Sequence, residues 1–136
     1  MRGTMLALRA DGTVWAWGYG AFAPAPVRVS GLTKVAAIAM GSRHALALKR
    51  DGTVWAWGSN VGGQLGDGVE LTSGFAPLGP VEVGGLTGAT KIAAGSTHSL
   101  AMKSDGTLWA WGDNTSGQLG DGQLRRGDWP DRSTPV

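Results

Sequence analysis

An eight-residue segment that occurs three times constrains this chain more than any other feature of its sequence. It reads Asp-Gly-Thr-Val-Trp-Ala-Trp-Gly at 11–18 and at 51–58, and it returns at 105–112 with leucine in place of valine. The copies begin at residues 11, 51 and 105, so they are 40 and 54 residues apart. Repeat periods of roughly 20 to 50 residues are typical of solenoids and propellers. The repeat therefore predicts an array of similar structural units.

Each copy of the segment predicts a β-hairpin whose two faces are both apolar. Asp51-Gly52, flanked by alternating apolar residues, predicts a two-residue type I′ turn, in which both central residues have positive φ. In the strand after the turn, Trp55 and Trp57 share one face, because successive side chains point to opposite sides. The strand before the turn, 44–49, carries a histidine and two leucines on one face and alanines on the other. Similar sheets are therefore expected to stack against both faces.

Two further short strands are predicted after the hairpin in each complete unit. In the second unit they lie at 80–83 and 91–95, with a Gly-Leu-Thr turn between them. The repeat units span about 1–40, 41–94 and 95–136, and the third is truncated at the start of its third strand. The chain is therefore predicted to be one domain, 1–136, that contains about two and a half four-stranded units.

Composition excludes several classes of function. Lys and Arg number 12 and Asp and Glu number 10, and the charges are scattered with both signs mixed, so a nucleic-acid partner is not predicted. The 24 glycines fit many tight turns, and the absence of cysteine removes disulfides and thiolate chemistry. No segment has the length of a membrane span or the pattern of a signal peptide, so no membrane partner is expected. The compartment is left open.

The order of motifs between 41 and 95 resembles a known repeat family. It runs Gly-x-x-His, Leu-Ala-Leu, Asp-Gly-Thr-Val-Trp-Ala-Trp-Gly-Ser-Asn, Gly-Gln-Leu-Gly-Asp-Gly, Pro-Val-Glu-Val and Ile-Ala-Ala-Gly. This order is similar to that of the regulator of chromosome condensation repeat family, in its bacterial-type Trp-Ala-Trp-Gly variant. The resemblance implies a seven-bladed β-propeller. WD40 repeats have a similar period, but their Trp-Asp dipeptide does not occur here.

The predicted fold is all-β, with propeller blades of four antiparallel strands, forming an incomplete propeller of two to three blades. Seven blades of about 50 residues would need well over 300 residues, so this chain cannot close a ring alone. It is expected either to be a segment that packs against the remaining blades of a longer propeller or to associate with another copy of itself. The interrupted third unit favours the segment, and the isolated chain is expected to oligomerise or aggregate.

The histidines and tryptophans of the repeat each allow a structural and a functional interpretation. His44 and His98 could serve metal or acid–base chemistry, but residues that recur once per unit are more simply hydrogen-bonding groups between blades. The tryptophan pairs 15/17, 55/57 and 109/111 could stack on sugars or bases, yet their identical spacing favours packing between blades.

No catalytic, cofactor or metal site is predicted. No acid lies near either histidine, and the Gly-Asp-Gly segments at 66–68 and 120–122 lack the ligand spacing of a calcium loop. The glycine-rich segments also lack the lysine and the following helix of a phosphate-binding loop. Arg126-Gly127-Asp128 matches the integrin-type adhesion tripeptide, a match so short that chance explains it better.

The function predicted from the sequence is a non-enzymatic scaffold that binds a protein partner through loops at the propeller rim, around 19–25, 69–79 and 123–133. Trp129 stands outside the repeat among arginines, a composition typical of binding hot spots. The candidate contact residues in these loops are Glu70, Leu71, Phe75, Arg125, Arg126 and Trp129. The resemblance implies one alternative, guanine-nucleotide exchange on a small GTPase, and the tryptophan pairs leave carbohydrate binding as another.

Overall fold

The structure is a computed structural model that describes residues 3–18, 23–68, 79–120, 122 and 135–136. Within these residues the chain forms ten β-strands and no helix. The strands are β1 (Thr4–Leu8), β2 (Val14–Gly18), β3 (Ala23–Arg28), β4 (Val35–Met40), β5 (His44–Lys49), β6 (Val54–Gly58), β7 (Val81–Glu82), β8 (Ala89–Ala94), β9 (His98–Lys103) and β10 (Leu108–Gly112).

The strands form three antiparallel sheets in chain order. Sheet 1 has the order β1-β2-β3, sheet 2 has β4-β5-β6-β7, and sheet 3 has β8-β9-β10. Val136 extends sheet 3, because its backbone exchanges two 2.9 Å hydrogen bonds with Ala110. This position matches that of Val81 beside Ala56 in sheet 2. The predicted all-β, four-stranded architecture is confirmed in sheet 2, the one described sheet with four full strands.

The sheets are out of phase with the sequence repeat by one strand. β4 lies at the end of the first repeat unit, but it pairs with β5 of the second, with Met40 opposite Ala45. The pairing follows from a tight connection at 41–43, closed by a 2.9 Å hydrogen bond from the Gly41 N–H to the His44 carbonyl. The Gly-Leu-Thr segments instead carry the chain from one sheet to the next, and their leucines, Leu32 and Leu86, are buried. Each sequence unit therefore supplies strands to two sheets.

The Asp-Gly turns differ from the predicted type I′ geometry. Gly52 has φ 84°, but Asp51 is not at positive φ, and the Gly52 N–H donates to the Lys49 carbonyl at 3.0 Å. The loop therefore has three residues, 50–52, with glycine in the left-handed position, and the two-residue prediction was wrong. The cause is the Asp51 carboxylate, which accepts from the Thr53 N–H at 3.0 Å and from its hydroxyl at 2.6 Å.

The hydrophobic core lies between the sheets. We call the face of a sheet that carries Leu46, Leu48 and Val54, or their repeat equivalents, its leucine face, and the opposite face, with the tryptophan pair, its tryptophan face. The leucine face of sheet 2 packs against Ala101 and Trp111 on the tryptophan face of sheet 3. The tryptophan face of sheet 2 packs in the same way against the leucine face of sheet 1. The predicted cover on both faces of a sheet is thus observed for sheet 2.

The packing predicts that the leucine face of sheet 2 contributes strongly to stability. Leu46→Ala should lower the free energy of unfolding by about 2–5 kcal/mol, because the side chain is fully buried and its loss leaves a cavity. Urea denaturation followed by tryptophan fluorescence measures the change. Val27→Ala, on a β3 side chain that is 48% exposed, is the control and should change stability by less than about 0.5 kcal/mol. Equal losses in the two variants would contradict this account of the core.

Candidate functional site

The loops predicted to bind a partner connect equivalent strands of the three sheets. They follow β2, β6 and β10, which end at Gly18, Gly58 and Gly112, and each leads to the third strand of its sheet. We call the edge of the stack at these three glycines the loop rim, and the opposite edge, with the three Asp-Gly turns, the turn rim. The six candidate contact residues Glu70, Leu71, Phe75, Arg125, Arg126 and Trp129 lie outside the described residues, as does Asp121.

A buried hydrogen-bond network joins sheets 2 and 3 beneath the loop rim. The Gln64 carbonyl accepts from Trp111 Nε1 at 2.9 Å and from the Ser99 hydroxyl at 3.0 Å. The same hydroxyl lies 2.8 Å from His44 Nε2. All four residues are almost fully buried. Because a carbonyl can only accept, the single hydroxyl proton of Ser99 goes to Gln64, and His44 must donate from Nε2 to Ser99.

This arrangement fixes the chemical state of His44. Donation from Nε2 makes Nδ1 the unprotonated nitrogen, and Nδ1 is buried with no hydrogen-bond partner among the described residues. Burial disfavours the charged ring and, with a smaller repulsion from His98, lowers the pKa of His44 from 6.5 to about 4. His44 is therefore neutral near pH 7 and bonds across the two sheets, which agrees with the predicted structural role.

The loop at 60–68 holds the Gln64 carbonyl in place. Asn60 Oδ1 accepts from the Leu65 N–H at 3.0 Å, and Gln64 Oε1 accepts from the Gly62 N–H at 2.8 Å. Gly66 has φ 66°, and a Cβ there would lie 2.7 Å from Trp111 Nε1, so only glycine allows the indole this close. Asp67, considered in the sequence as a calcium ligand, instead accepts from Asn60 Nδ2 at 3.3 Å.

The equivalent loop at 114–120 repeats this geometry on sheet 3. Asn114 Oδ1 accepts from the Leu119 N–H at 3.1 Å, and Gln118 Oε1 accepts from the Ser116 N–H at 2.8 Å. The Gln118 carbonyl therefore occupies on sheet 3 the position that the Gln64 carbonyl occupies on sheet 2. In the described residues no further sheet approaches it.

The tryptophans act mainly in packing. Trp57 and Trp111 are buried between sheets, as predicted. The first tryptophan of each pair is less buried and donates from Nε1 to the threonine two residues before it, at 2.9–3.2 Å. A cationic group lies 4.3–5.5 Å from the centroid of each of these rings. The pairs are Arg9 over Trp15, Lys49 over Trp55, and Lys103 over Trp109.

The described residues contain no group of three or more His, Cys, Asp or Glu side chains placed to hold a metal ion. They also contain no apolar helix of membrane-spanning length. Sequence reasoning identified His44 but missed its partners Ser99 and Gln64. A signal was present for Ser99, because the equivalent positions hold Met5 and Ala45, so the serine departs from an otherwise apolar position.

Comparison with known proteins gives consistent matches. A family model for the regulator of chromosome condensation (RCC1) repeat matches residues 51–102 and 105–136, more than half of the chain. A second model of the same description matches 35–64 and 89–118. The human probable E3 ubiquitin-protein ligase HERC6 is 35% identical over 84% of this chain, and the Arabidopsis thaliana ultraviolet-B receptor UVR8 is 33% identical over 85%. The chain spans only 12% of the first relative and 29% of the second.

Solved structures show the same fold. Yeast RCC1 (Prp20) in complex with Kap60 superposes on 98% of this chain with a TM-score of 0.81 and 23% identity, and 34% of that protein is covered. A second structure of Prp20p, from Saccharomyces cerevisiae, concerns a protein with binding properties toward Gsp1p and histones. Human WBSCR16 superposes with a TM-score of 0.77 and 28% identity, again over 98% of this chain and 37% of that protein.

The shared acceptor at Gln64 predicts unequal roles for two equivalent tryptophans. Trp111→Phe removes the donor to the Gln64 carbonyl, whereas Trp57→Phe makes the same change at a buried indole that has no such acceptor in the described residues. Trp111→Phe should therefore cost about 1 kcal/mol more than Trp57→Phe in the free energy of unfolding. Urea denaturation followed by far-ultraviolet circular dichroism compares the two variants. Equal costs would show that the hydrogen bond adds nothing to the packing of the ring.

The low pKa of His44 predicts a loss of stability in acid. In the unfolded chain the imidazole takes a proton near pH 6.5, but in the folded chain only near pH 4, so stability is complete above 6.5 and falls between those values. The difference corresponds to about 3 kcal/mol. The pH profile of the free energy of unfolding, measured from pH 7.5 to 4, should be shallower by about this amount in His44→Gln. Parallel profiles for the variant and the original chain would contradict the assignment.

Proposed function

The chain belongs to the regulator of chromosome condensation repeat family, as its sequence predicted, and on that premise we propose that it is a non-enzymatic scaffold that binds a protein partner through its loop rim. Its three sheets are part of a β-propeller, which confirms the predicted fold class. The observation that supports the proposal most directly is the position of the connections after β2, β6 and β10, because all three leave the stack at one edge.

The division of labour between frame and loops supports a binding role. The repeated side chains are used inside the stack, where the leucine and tryptophan faces pack and His44, Ser99 and Gln64 are hydrogen-bonded. The connections on the loop rim differ in length, since the chain goes from Gly18 to Ala23 in sheet 1 but from Gly58 to Val81 in sheet 2. Variable loops on a constant scaffold are where binding function concentrates.

The relatives support a protein as the kind of partner. A yeast protein of this fold is bound to Kap60 in one solved structure, and its binding to Gsp1p and histones was characterised with another. The ligase and receptor relatives are several times longer than this chain, so their activities do not transfer to it. Beyond the rim partner, the end faces of the stack are proposed to pack on remaining blades or on another copy of the chain.

Nothing in the described residues favours the two alternatives over a scaffold. Carbohydrate stacking needs exposed indole faces, whereas Trp57 and Trp111 are buried. Guanine-nucleotide exchange rests on family resemblance alone. It is tested directly by release of fluorescent GDP from a small GTPase in the presence of the purified chain, where the scaffold proposal expects the intrinsic rate.

The rim proposal predicts that loop substitutions remove binding without unfolding the chain. A partner is first isolated by crosslinking and affinity capture, then purified and titrated by calorimetry. Replacing Arg125, Arg126 and Trp129 together by alanine should weaken binding at least roughly tenfold, because tryptophan and arginine dominate interface energies. Replacing Glu70, Leu71 and Phe75 together by alanine tests the second loop in the same way. Thermal unfolding midpoints should be unchanged in both variants.

The matched control lies on the opposite edge of the stack. Arg50→Ala changes an exposed arginine of the turn rim and should leave the titration unchanged. The proposal would be overturned if Arg50→Ala weakened binding as much as the loop variants, or if both loop variants bound like the original chain.

A further inference from the structure

The leucine face of sheet 3 is uncovered in the described residues. Its Leu100, Met102 and Leu108 occupy the repeat positions of Leu46, Leu48 and Val54, which are buried on sheet 2. On sheet 3, by contrast, Met102 is 36% exposed and Leu108 is 62% exposed. The face therefore has the composition of a sheet-to-sheet contact without the sheet that would cover it.

The tryptophan face of sheet 1 is uncovered at the other end of the stack. It carries Met5, which is 55% exposed, together with Ala7, Trp15 and Trp17, all partly exposed. These four occupy the repeat positions of Ser99, Ala101, Trp109 and Trp111, the residues that sheet 3 presents to sheet 2. One chain thus carries both halves of the sheet 2–sheet 3 contact, at opposite ends.

The polar part of that contact is also present in both halves. The Gln118 carbonyl is held by the same loop geometry as the Gln64 carbonyl, which accepts from Trp111 Nε1. Trp17, the equivalent of Trp111, makes no Nε1 hydrogen bond within the described residues. A donor and an acceptor that are paired between sheets 2 and 3 are therefore both unpaired at the two ends.

We propose that two copies of this chain associate head to tail, with the tryptophan face of sheet 1 in one copy packed on the leucine face of sheet 3 in the other. Trp17 Nε1 of the first copy donates to the Gln118 carbonyl of the second, as Trp111 does to Gln64. The occupant is a second copy because the complementary surface that fits sheet 3 is present in this same chain. This inference deepens the scaffold role by naming one partner, and its test requires no rim ligand.

The number of sheets limits the assembly to a dimer. Propellers are built from roughly four to eight blades. Two copies supply six sheets, within that range, whereas three copies would supply nine. A head-to-tail contact that closes on itself makes a ring, and in a ring of two the same contact is made twice.

One part of the internal contact is not reproduced between copies. His44 bonds to Ser99 across sheets 2 and 3, but the equivalent pair between copies is His98 and Met5, which cannot form that hydrogen bond. The contact between copies therefore relies on apolar burial and on the Trp17–Gln118 bond. It is expected to be weaker than the contact inside the chain and to depend on concentration.

Sedimentation velocity over a range of concentrations tests the proposal. The original chain should form a dimer, and Leu108→Glu should abolish it by placing a charge in the apolar contact. Val61→Glu is the matched control, because Val61 is 63% exposed but lies in the loop at 60–68 and on neither end face, so its dimer should persist. Trp17→Phe should raise the dimer dissociation constant roughly fivefold or more, since it removes one hydrogen bond.

Site-directed crosslinking tests the orientation. The chain has no cysteine, so Met5→Cys and His98→Cys each introduce a single thiol. A short bismaleimide should link the two variants when they are mixed and should link neither variant to itself. A monomer at all concentrations, a dimer that survives Leu108→Glu, or equal crosslinking of each variant alone would overturn the proposal. Rim binding by the Leu108→Glu monomer would show that the scaffold proposal stands independently.

Discussion

The packing of a leucine face on a tryptophan face is the interaction on which the rest of this structure depends. A single four-stranded sheet with two apolar faces cannot be stable in water, so each sheet requires a neighbour on both sides. Sheet 2 has both, and its Leu46, Ala45 and Ala47 are accordingly fully buried. Small alanines on one face and leucines on the other let the large indole of Trp111 enter the contact without pushing the sheets apart.

The polar groups in that contact are arranged so that burial costs little. Gln64 presents a main-chain carbonyl with two lone pairs, and Trp111 and Ser99 supply one donor to each. His44 then donates to the serine, so the network ends on a neutral ring. Because a buried polar group without a partner is costly, this network selects one register between the sheets, whereas apolar packing alone would tolerate slippage. Its sole cost is the buried Nδ1 of His44.

Sequence reasoning predicted the strands, the stacking of sheets and the burial of the second tryptophan in each pair, because all three follow from local alternation repeated three times. It failed where geometry depends on contacts distant in the chain. The turn at 50–52 was assigned the wrong type because the carboxylate of Asp51 stabilises its own loop. β4 was assigned to the preceding unit because repeats in sequence do not reveal which strands pair. Gln64 escaped notice because its main-chain carbonyl, which no residue type marks, does the bonding. The candidate loop residues lie outside the described residues, so for them the sequence remains the guide.

The contact between sheets is directional, and this property explains how one frame can both build a stack and leave a rim free for recognition. Every sheet presents its leucine face and its Gln loop forward and its indoles backward, so the two faces are never interchangeable. Side chains of the repeat are consequently committed to neighbours before and after, and the connections at the loop rim take no part in the core contacts described here. Selection on those connections can therefore change a partner without changing the stack, whereas substitution of a frame residue such as Gly66 must disturb two sheets together.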